Sequence, residues 1–522
     1  MLEPGAHGGP WTRSDRISDD RATLNRPSAE LGRAARGGAV TFVGAAMSAG
    51  LGFLFSVLVA RALGTAGAGV VLQTMAVFTM TLSFAKLGLD TTAVWLLPRL
   101  VGEDRASVRP AVLVMLAGAL AGGVLALCIW QVVAATALAD ATEVVEALDV
   151  AMWLLPAASV MTVALAATRA FGGVLPYNLI GNITVPALRP LGLALVVALS
   201  GGAVGVALSW SLSWLIGAVA ALFVLARQLG RHTERSGWRP RQGKVRQISS
   251  YAVPRTFAAG LEQAMVWLDV VLVGVLLGAA EAGVYGSAAR FVSAGVIVAT
   301  ALRIVVAPRF SALLAKKRID AVDELYSVTA QWILLFGAPI YVLLAFYAPT
   351  VLGWLGPGFD DGAAAMAVLC VGSIVVLAAG NVQALLLMSG RSSWGAFNKL
   401  VVVVVNVVGN LILLPRVGII GAAAMWAACM ALDTALAAYQ VRRTVGIAVF
   451  GPTLLRVAVA VVACTVVPAG VLAWLAGQNA ASFLTAVLLS GLLLLAYARH
   501  DRARLHLDQL LKPGRNDHVD DV

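Results

Sequence analysis

Ionisable side chains inside long apolar segments are the residues of this sequence that could do chemistry. A charge within a membrane-spanning segment is costly, so it usually faces a cavity or a partner. The apolar segments hold seven basic and four acidic residues: Arg61, Lys86, Arg169, Arg189, Arg290, Arg303 and Lys399 against Asp90, Glu262, Asp269 and Asp433. A cavity with net positive charge suits an anionic ligand, and the planar guanidinium of arginine suits phosphate oxygens.

We predict that five basic residues contact an anionic group and that three acidic residues orient them or couple binding to an ion. The basic residues are Arg61, Lys86, Arg189, Arg255 and Arg290, and the acidic residues are Asp269, Glu262 and Asp90. Arg255 follows Pro254 at the expected mouth of a helix.

Several of these residues also have a purely structural interpretation. Lys86 and Asp90 are four residues apart and could form an ion pair on one helix face. Arg61 could cap or anchor a helix end, and Glu262 could be a hydrogen-bonded structural acid. Asp269 and Arg290 could pair with each other across two helices.

Motifs of enzymes and of metal sites are absent from the sequence. There is no Walker A loop, HExxH or GxSxG motif. The four cysteines have no CxxC spacing and all lie in apolar segments. We therefore expect no enzyme activity, no metal and no cofactor, with H⁺ or Na⁺ as the candidate coupling ion.

Membrane-spanning helices must position these residues. Of the 522 residues, 60% are hydrophobic and 12% are charged, against about 25% charged in soluble domains. Apolar runs of about 18 residues or more can span a bilayer, and they are too long for barrel strands. We predict an all-α polytopic membrane protein with about 14 transmembrane helices, near 39–62, 68–97, 110–135, 148–170, 176–200, 203–226, 253–278, 283–307, 327–354, 362–388, 395–415, 419–440, 448–476 and 480–498.

An internal repeat relates the first six helices to the next six. Residues 57–70 and 271–284 are identical at nine of fourteen positions, with an offset of 214. Residues 202–210 resemble 418–426 at an offset of 216. Chance similarity between apolar helices is the alternative. We predict two six-helix lobes related by pseudo-twofold symmetry, with the substrate site between them near the midplane.

The expected division of the chain follows from this repeat. The parts are a disordered cytoplasmic tail (1–36), an N-lobe (37–226), a basic cytoplasmic linker (227–252), a C-lobe (253–440), two appended helices (441–500) and a cytoplasmic tail (501–522).

Loop charges predict the orientation. The 227–252 segment is strongly basic, whereas the expected outer loops are mostly acidic. This distribution places both termini in the cytoplasm. It explains the formal net charge of +11 without a nucleic-acid partner.

Several short motifs resemble one known family. They are Ala60-Arg61-Ala62-Leu63-Gly64, Leu87-Gly88-Leu89-Asp90, Tyr251-Ala252-Val253-Pro254, Trp267-Leu268-Asp269 and Ala282-Gly283-Val284-Tyr285, with Asn398, Asn406 and Asn410 further along the chain. Together they resemble the polysaccharide flippases of the multidrug/oligosaccharidyl-lipid/polysaccharide (MOP) exporter superfamily, which include exopolysaccharide and lipid II flippases.

The resemblance implies an ATP-independent flippase in the bacterial inner membrane. Such proteins carry undecaprenyl-diphosphate-linked oligosaccharide from the cytoplasmic to the outer leaflet by alternating access. Expected partners are this lipid-linked anionic oligosaccharide, membrane lipids, a polysaccharide polymerase and glycosyltransferases. Two alternatives remain open: a cation-coupled multidrug exporter of the same superfamily, and a catalytically inactive scaffold for envelope biosynthesis.

Overall fold

Helices make up all the regular secondary structure in the residues that the computed structural model describes, which are 13–137, 142–171, 174–232, 243–295 and 297–506. The α-helices are α1 (Arg13–Ala85), α2 (Leu89–Glu103), α3 (Arg105–Ala137), α4 (Glu143–Met152), α5 (Leu155–Thr168), α6 (Val185–Ala198), α7 (Ala203–His232), α8 (Lys244–Leu277), α9 (Ala279–Ala294), α10 (Ile297–Ala315), α11 (Ile319–Phe346), α12 (Ala348–Gly353), α13 (Ala363–Ala378), α14 (Val382–Met388), α15 (Ser392–Val417), α16 (Ile419–Thr444), α17 (Pro452–Val461), α18 (Val467–Ala476) and α19 (Ala480–His500). Two π-helical segments occur at Tyr177–Thr184 and Val462–Val466.

The predicted all-α multi-pass architecture is confirmed, but the predicted count of fourteen spans is not. By length and apolar composition, eleven helices within the described ranges can cross a membrane, or twelve if a bent pair of shorter helices forms one span. This count takes α1 as one span, although its backbone is not helical at Gly64. Several expected spans are broken instead of continuous. The predicted helix 283–307, for example, is divided between α9 and α10, and 362–388 between α13 and α14.

Single glycines mark four connections between successive helices. Gly64, Gly278, Gly418 and Gly477 have φ between 65° and 99° and ψ close to ±180°. Only glycine adopts this backbone region readily, because a Cβ atom would clash there. Gly64 and Gly278 are separated by the repeat offset of 214, so both halves use the same turn between their first two helices.

The chain folds back on itself at Gly64 within α1. Ser56 and Thr79 line one cavity, although a straight helix would place them about 35 Å apart. This fold-back accounts for the single element α1 where two helices were predicted.

Two glycines bring the first and second halves of the chain into backbone contact. A Cβ atom on Gly69 of α1 would collide with the Ala279 carbonyl of α9, and one on Gly283 would collide with the Thr65 carbonyl. Small residues permit such close helix packing in membrane proteins. This contact fixes the distance between the helices that carry several of the predicted site residues.

The termini and the linker differ from expectation. The backbone of residues 13–36 is helical, whereas the sequence predicted a disordered tail. The segment contains six Arg and four Ala residues, which favour helix. Helices α7 and α8 also extend into the predicted linker, to His232 and from Lys244. The predicted tails at 1–12 and 507–522 lie outside the described residues, and the division into two lobes stays a prediction.

Candidate functional site

A cavity of about 640 Å³ lies among α1, the first π-helical segment and helices α6 to α9. We call it the arginine cavity, because Arg189 from α6 and Arg290 from α9 both line it. The other polar lining residues are neutral and include Ser56, Asn182 and Gln263, and many lining residues are apolar. Within the described part of the chain, its lining contains no carboxylate.

Aromatic rings hold the two guanidinium groups in place. The Cζ atom of Arg290 lies 3.9 Å from the centroid of the Trp267 ring. Arg189 lies over two rings, at 5.1 Å from Trp210 and 5.3 Å from Trp214, and its Nε donates a hydrogen bond to Ser213 Oγ at 3.5 Å. Cation–π contacts of this kind stabilise a cation without neutralising it.

Neither arginine has an acidic partner among the residues that the structure describes. The ion pairs found within 4 Å in those residues join Lys86 to Asp90 and Arg504 to Asp501. The arginine cavity therefore carries two uncompensated positive charges. A site of this kind favours an anionic ligand and disfavours a cationic one.

A second cavity, of about 560 Å³, adjoins the first. The charged lining residues of this second cavity are Lys86, Asp90, Arg169 and Arg255. Lys86 Nζ donates to Asp90 Oδ2 at 2.8 Å, which matches the ion-pair interpretation of these two residues. Arg169 and Arg255 have no such partner in the described ranges.

The two cavities share a wall of four residues, Met161, Gly181, Asn182 and Trp214. Gly181 and Asn182 belong to the π-helical segment Tyr177–Thr184. Such segments are frequent at functional sites because they redirect side chains within a helix. Here the irregular turn carries the only polar side chain of the shared wall, Asn182, whose amide nitrogen donates to Asn178 Oδ1 at 2.8 Å.

Asp269 is a buried carboxylate outside both cavity linings. Its Oδ1 accepts hydrogen bonds from Asn406 Nδ2 and Asn410 Nδ2, each at 2.9 Å. The hydroxyl of Tyr285 is a further hydrogen-bond partner. This network ties α8 to α9 and α15, and no ion pair joins Asp269 to Arg290 in the described residues.

The family profile described as polysaccharide biosynthesis protein matches residues 34–314, which is more than half of the chain. The chain belongs to this family. No curated protein has a significantly similar sequence.

Solved structures with the same fold include transporters of the MOP superfamily. A lipid II flippase, MurJ, in an inward closed conformation is 11% identical with a TM-score of 0.66, covering 89% of this chain and 100% of that one. An inward-facing multidrug resistance transporter of the MATE family is 14% identical with a TM-score of 0.64, covering 77% and 94%. A transporter from Pyrococcus furiosus, described as having a binding pocket of reverse polarity, is 13% identical with a TM-score of 0.55, covering 81% and 95%.

These matches confirm the resemblance to the MOP superfamily. At such low identities they show that this member of the polysaccharide biosynthesis protein family has the fold shared by MurJ and the MATE transporters. It is a multi-pass membrane protein.

The structure brings most of the predicted basic residues of this family member to the two cavities. Arg189 and Arg290 line the arginine cavity, and Lys86 and Arg255 line the second cavity together with Asp90. Arg61 is the exception. It is exposed, lines neither cavity, and donates through Nε to the Trp354 carbonyl at 2.9 Å. Its position one turn before Gly64 places it at the end of the hairpin, so the anchoring interpretation fits better.

Glu262 is also separate from both cavities. It is exposed and lines a third, smaller crevice together with Arg255.

The sequence analysis did not predict the aromatic residues of the site. Trp267, Trp210 and Trp214 contact the two arginines, but they resemble ordinary lipid-facing or core residues in the sequence. One usable signal was present: Trp210 and Trp214 are four residues apart and therefore share a helix face.

Proposed function

We propose that this protein is an ATP-independent flippase for a lipid-linked anionic oligosaccharide. Its substrate would be an undecaprenyl-diphosphate-linked oligosaccharide, moved from the cytoplasmic to the outer leaflet by alternating access. The observation that carries the proposal is the pair Arg189 and Arg290, which line one cavity without a carboxylate in its described lining. Two guanidinium groups suit the oxygens of a diphosphate.

Membership of the polysaccharide biosynthesis protein family supports an oligosaccharide cargo. The neutral polar lining of the arginine cavity, including Ser56, Thr79, Asn182 and Gln263, offers hydrogen bonds to sugar hydroxyl groups. A polymerase and glycosyltransferases of the same envelope polysaccharide are the partners we propose.

We further propose that Asp269 couples transport to H⁺ or Na⁺. The carboxylate is buried and is held by amides of α15. Asn410 Oδ1 is buried beside it without a hydrogen-bond partner in the described structure. Carboxylate and amide oxygens are ligands that hard cations prefer.

A cation-coupled multidrug exporter is the second candidate, because MATE transporters share this fold. The charge of the arginine cavity argues against it, since two free guanidinium groups repel a cationic drug. A scaffold without transport activity is the third alternative, and a direct transport measurement separates it from both.

The decisive experiment uses purified protein in proteoliposomes that contain a fluorescent polyprenyl-diphosphate sugar. Dithionite added outside quenches only the outer leaflet, so flipping appears as additional loss of fluorescence. We expect flipping without ATP by the wild type and its loss in the Arg189→Ala/Arg290→Ala double variant.

The matched control is Arg416→Ala. This arginine is exposed at a helix end and donates to the Ile412 carbonyl of its own helix at 3.4 Å. Equal flipping by the double variant and the wild type would refute the assignment of the head-group site. Efflux of cationic dyes in place of lipid flipping would support the exporter.

A further inference from the structure

A third crevice, of about 290 Å³, lies among α8, α10, α14 and α15. We call it the C-terminal crevice. Its charged lining residues are Arg255, Arg303, Arg391, Lys399 and Glu262. Four cations and one carboxylate give a formal charge of +3. The crevice shares no lining residue with the arginine cavity and meets the second cavity only at Arg255.

The arginines of this crevice are not neutralised by the protein. In the residues that the structure describes, none of them lies within 4 Å of a carboxylate, and Glu262 has no basic partner at that distance either. Arg391 lies over the Trp394 ring at 5.5 Å. Arg303 is exposed. Arg255 and Arg391 are exposed as well, so all three guanidinium groups are accessible to an anion from outside the chain.

Lys399 differs from the three arginines, because an acid lies behind it. Its Nζ approaches Met265 Sδ at 3.8 Å, and Lys399 is close enough to Asp433 for an electrostatic interaction between the two side chains. Asp433 is itself held by Gln383, whose Nε2 donates to Asp433 Oδ2 at 2.9 Å. The free positive charge of the crevice therefore resides mainly on the arginines.

The repeat relates this crevice to the cavities of the first half. At the offset of 214, Gly181 of both cavities corresponds to Gly395 of the crevice, and Arg169 of the second cavity corresponds to Gln383. The C-terminal crevice thus occupies, in the second half, the place that the ligand-sized cavities occupy in the first. Its basic residues stand at different positions, so it has its own chemistry.

We propose that the C-terminal crevice is a second anion site, which binds a phosphate ester of a lipid. Guanidinium forks suit phosphate oxygens. Large apolar side chains lie on the same helices and are exposed: Phe257 at 64%, Phe397 at 62% and Leu387, which lines the crevice, at 54%. Basic pockets between membrane helices with apolar surroundings are typical of lipid head-group sites.

The phosphate could belong to a membrane phospholipid or to the diphosphate of a lipid-linked substrate. Both sources present the same chemistry to the three arginines. The site stands on residues other than Arg189 and Arg290, so it does not depend on the proposed transport function.

The test measures binding to the purified full-length protein in detergent by titration calorimetry. The probes are dioctanoyl phosphatidylglycerol, farnesyl diphosphate and, as the zwitterionic control, dioctanoyl phosphatidylcholine. We expect Arg303→Ala/Arg391→Ala to weaken binding of the anionic probe at least about tenfold, which corresponds to about 1.4 kcal/mol. The Arg189→Ala/Arg290→Ala variant should retain this binding event.

Glu262→Gln provides a test with the opposite sign. Removing the one carboxylate of the crevice should tighten binding of the same probe by severalfold, which a misfolded variant would not do. The expected pattern is weaker binding to Arg303→Ala/Arg391→Ala and tighter binding to Glu262→Gln. If phosphatidylglycerol shows this pattern, the crevice is a phospholipid site. If farnesyl diphosphate shows it, the crevice is a substrate site.

The proposal is overturned if both anionic probes bind the Arg303→Ala/Arg391→Ala variant as tightly as the wild type. It is also overturned if Glu262→Gln weakens binding. If the wild type does not flip lipid but still binds the anionic probes in the crevice, the proposed transport function is refuted and the crevice proposal is not.

Discussion

The guanidinium of Arg290 stacks on the indole of Trp267, with Cζ 3.9 Å from the ring centroid. This contact joins α9 to α8 at the wall of the arginine cavity. Because the ring stabilises the cation without neutralising it, Arg290 is held in position for an anion.

We predict that Trp267→Leu weakens substrate binding, whereas Trp267→Phe retains part of it. A cation–π contact is worth about 0.5–2 kcal/mol, which corresponds to roughly a 2- to 30-fold rise in the substrate concentration for half-maximal flipping. Trp474→Leu is the control, since Trp474 is 83% exposed. An equal effect of Trp267→Leu and Trp474→Leu would show that the contact between Trp267 and Arg290 does not contribute to substrate binding.

We predict that Gly64→Ala and Gly278→Ala each lower the stability of the protein by about 1–3 kcal/mol, because alanine is strained at their backbone angles. Thermal unfolding in detergent measures this loss. Gly491→Ala is a matched control, since a Cβ meets open space at all three positions but Gly491 lies within α19 without a positive φ. The same melting temperature in all three variants would contradict the prediction.

Asp269→Ala should destabilise the bundle more than Asp269→Asn. Alanine leaves the amides of Asn406 and Asn410 without the acceptor they share, at a cost of about 3 kcal/mol. Asparagine keeps an acceptor oxygen but removes the charge. If Asp269 couples transport to an ion, Asp269→Asn should fold and flip without dependence on a Na⁺ or H⁺ gradient. Unchanged gradient dependence in Asp269→Asn would refute the coupling role.

Lys86 and Asp90 should behave as a pair in transport assays. Their side chains are 19% and 20% exposed, so either single neutralisation leaves one charge unpaired in the second cavity. We expect Lys86→Gln/Asp90→Asn to flip substrate better than either single variant, with a coupling free energy of up to about 1 kcal/mol. Strictly additive losses would instead mean that each residue contacts the substrate independently.

Much of the site could be predicted because charges are rare in apolar segments. Arg189, Arg290, Lys86 and Asp90 stood out against long runs of aliphatic residues, and the structure places them in two adjoining cavities. Arg61 stood out equally but lies at a hairpin end. The sequence identifies a charged residue within an apolar segment. It does not show whether that residue lies on the face of the helix that lines a cavity.

The helix breaks were harder to predict than the helices. The ends of α9 and α13 interrupt segments that are mostly apolar. Hydropathy measures only the average apolar character of a window of residues. Backbone irregularities depend on local contacts between residues, and the average hydropathy of a window gives no information about those contacts. The count of fourteen spans is not confirmed, because the described helices do not match the predicted spans one to one.

The sequence by itself determined that this is a helical multi-pass membrane protein with an internal repeat and an excess of basic over acidic residues in its apolar segments. Composition and the repeated sequence segments suffice for that, because a bilayer admits few ways to satisfy the backbone. Only the tertiary structure decided which charges share a cavity, which aromatic rings hold them and where a second basic crevice lies. Those relationships join residues far apart in sequence, and packing between helices sets their distances.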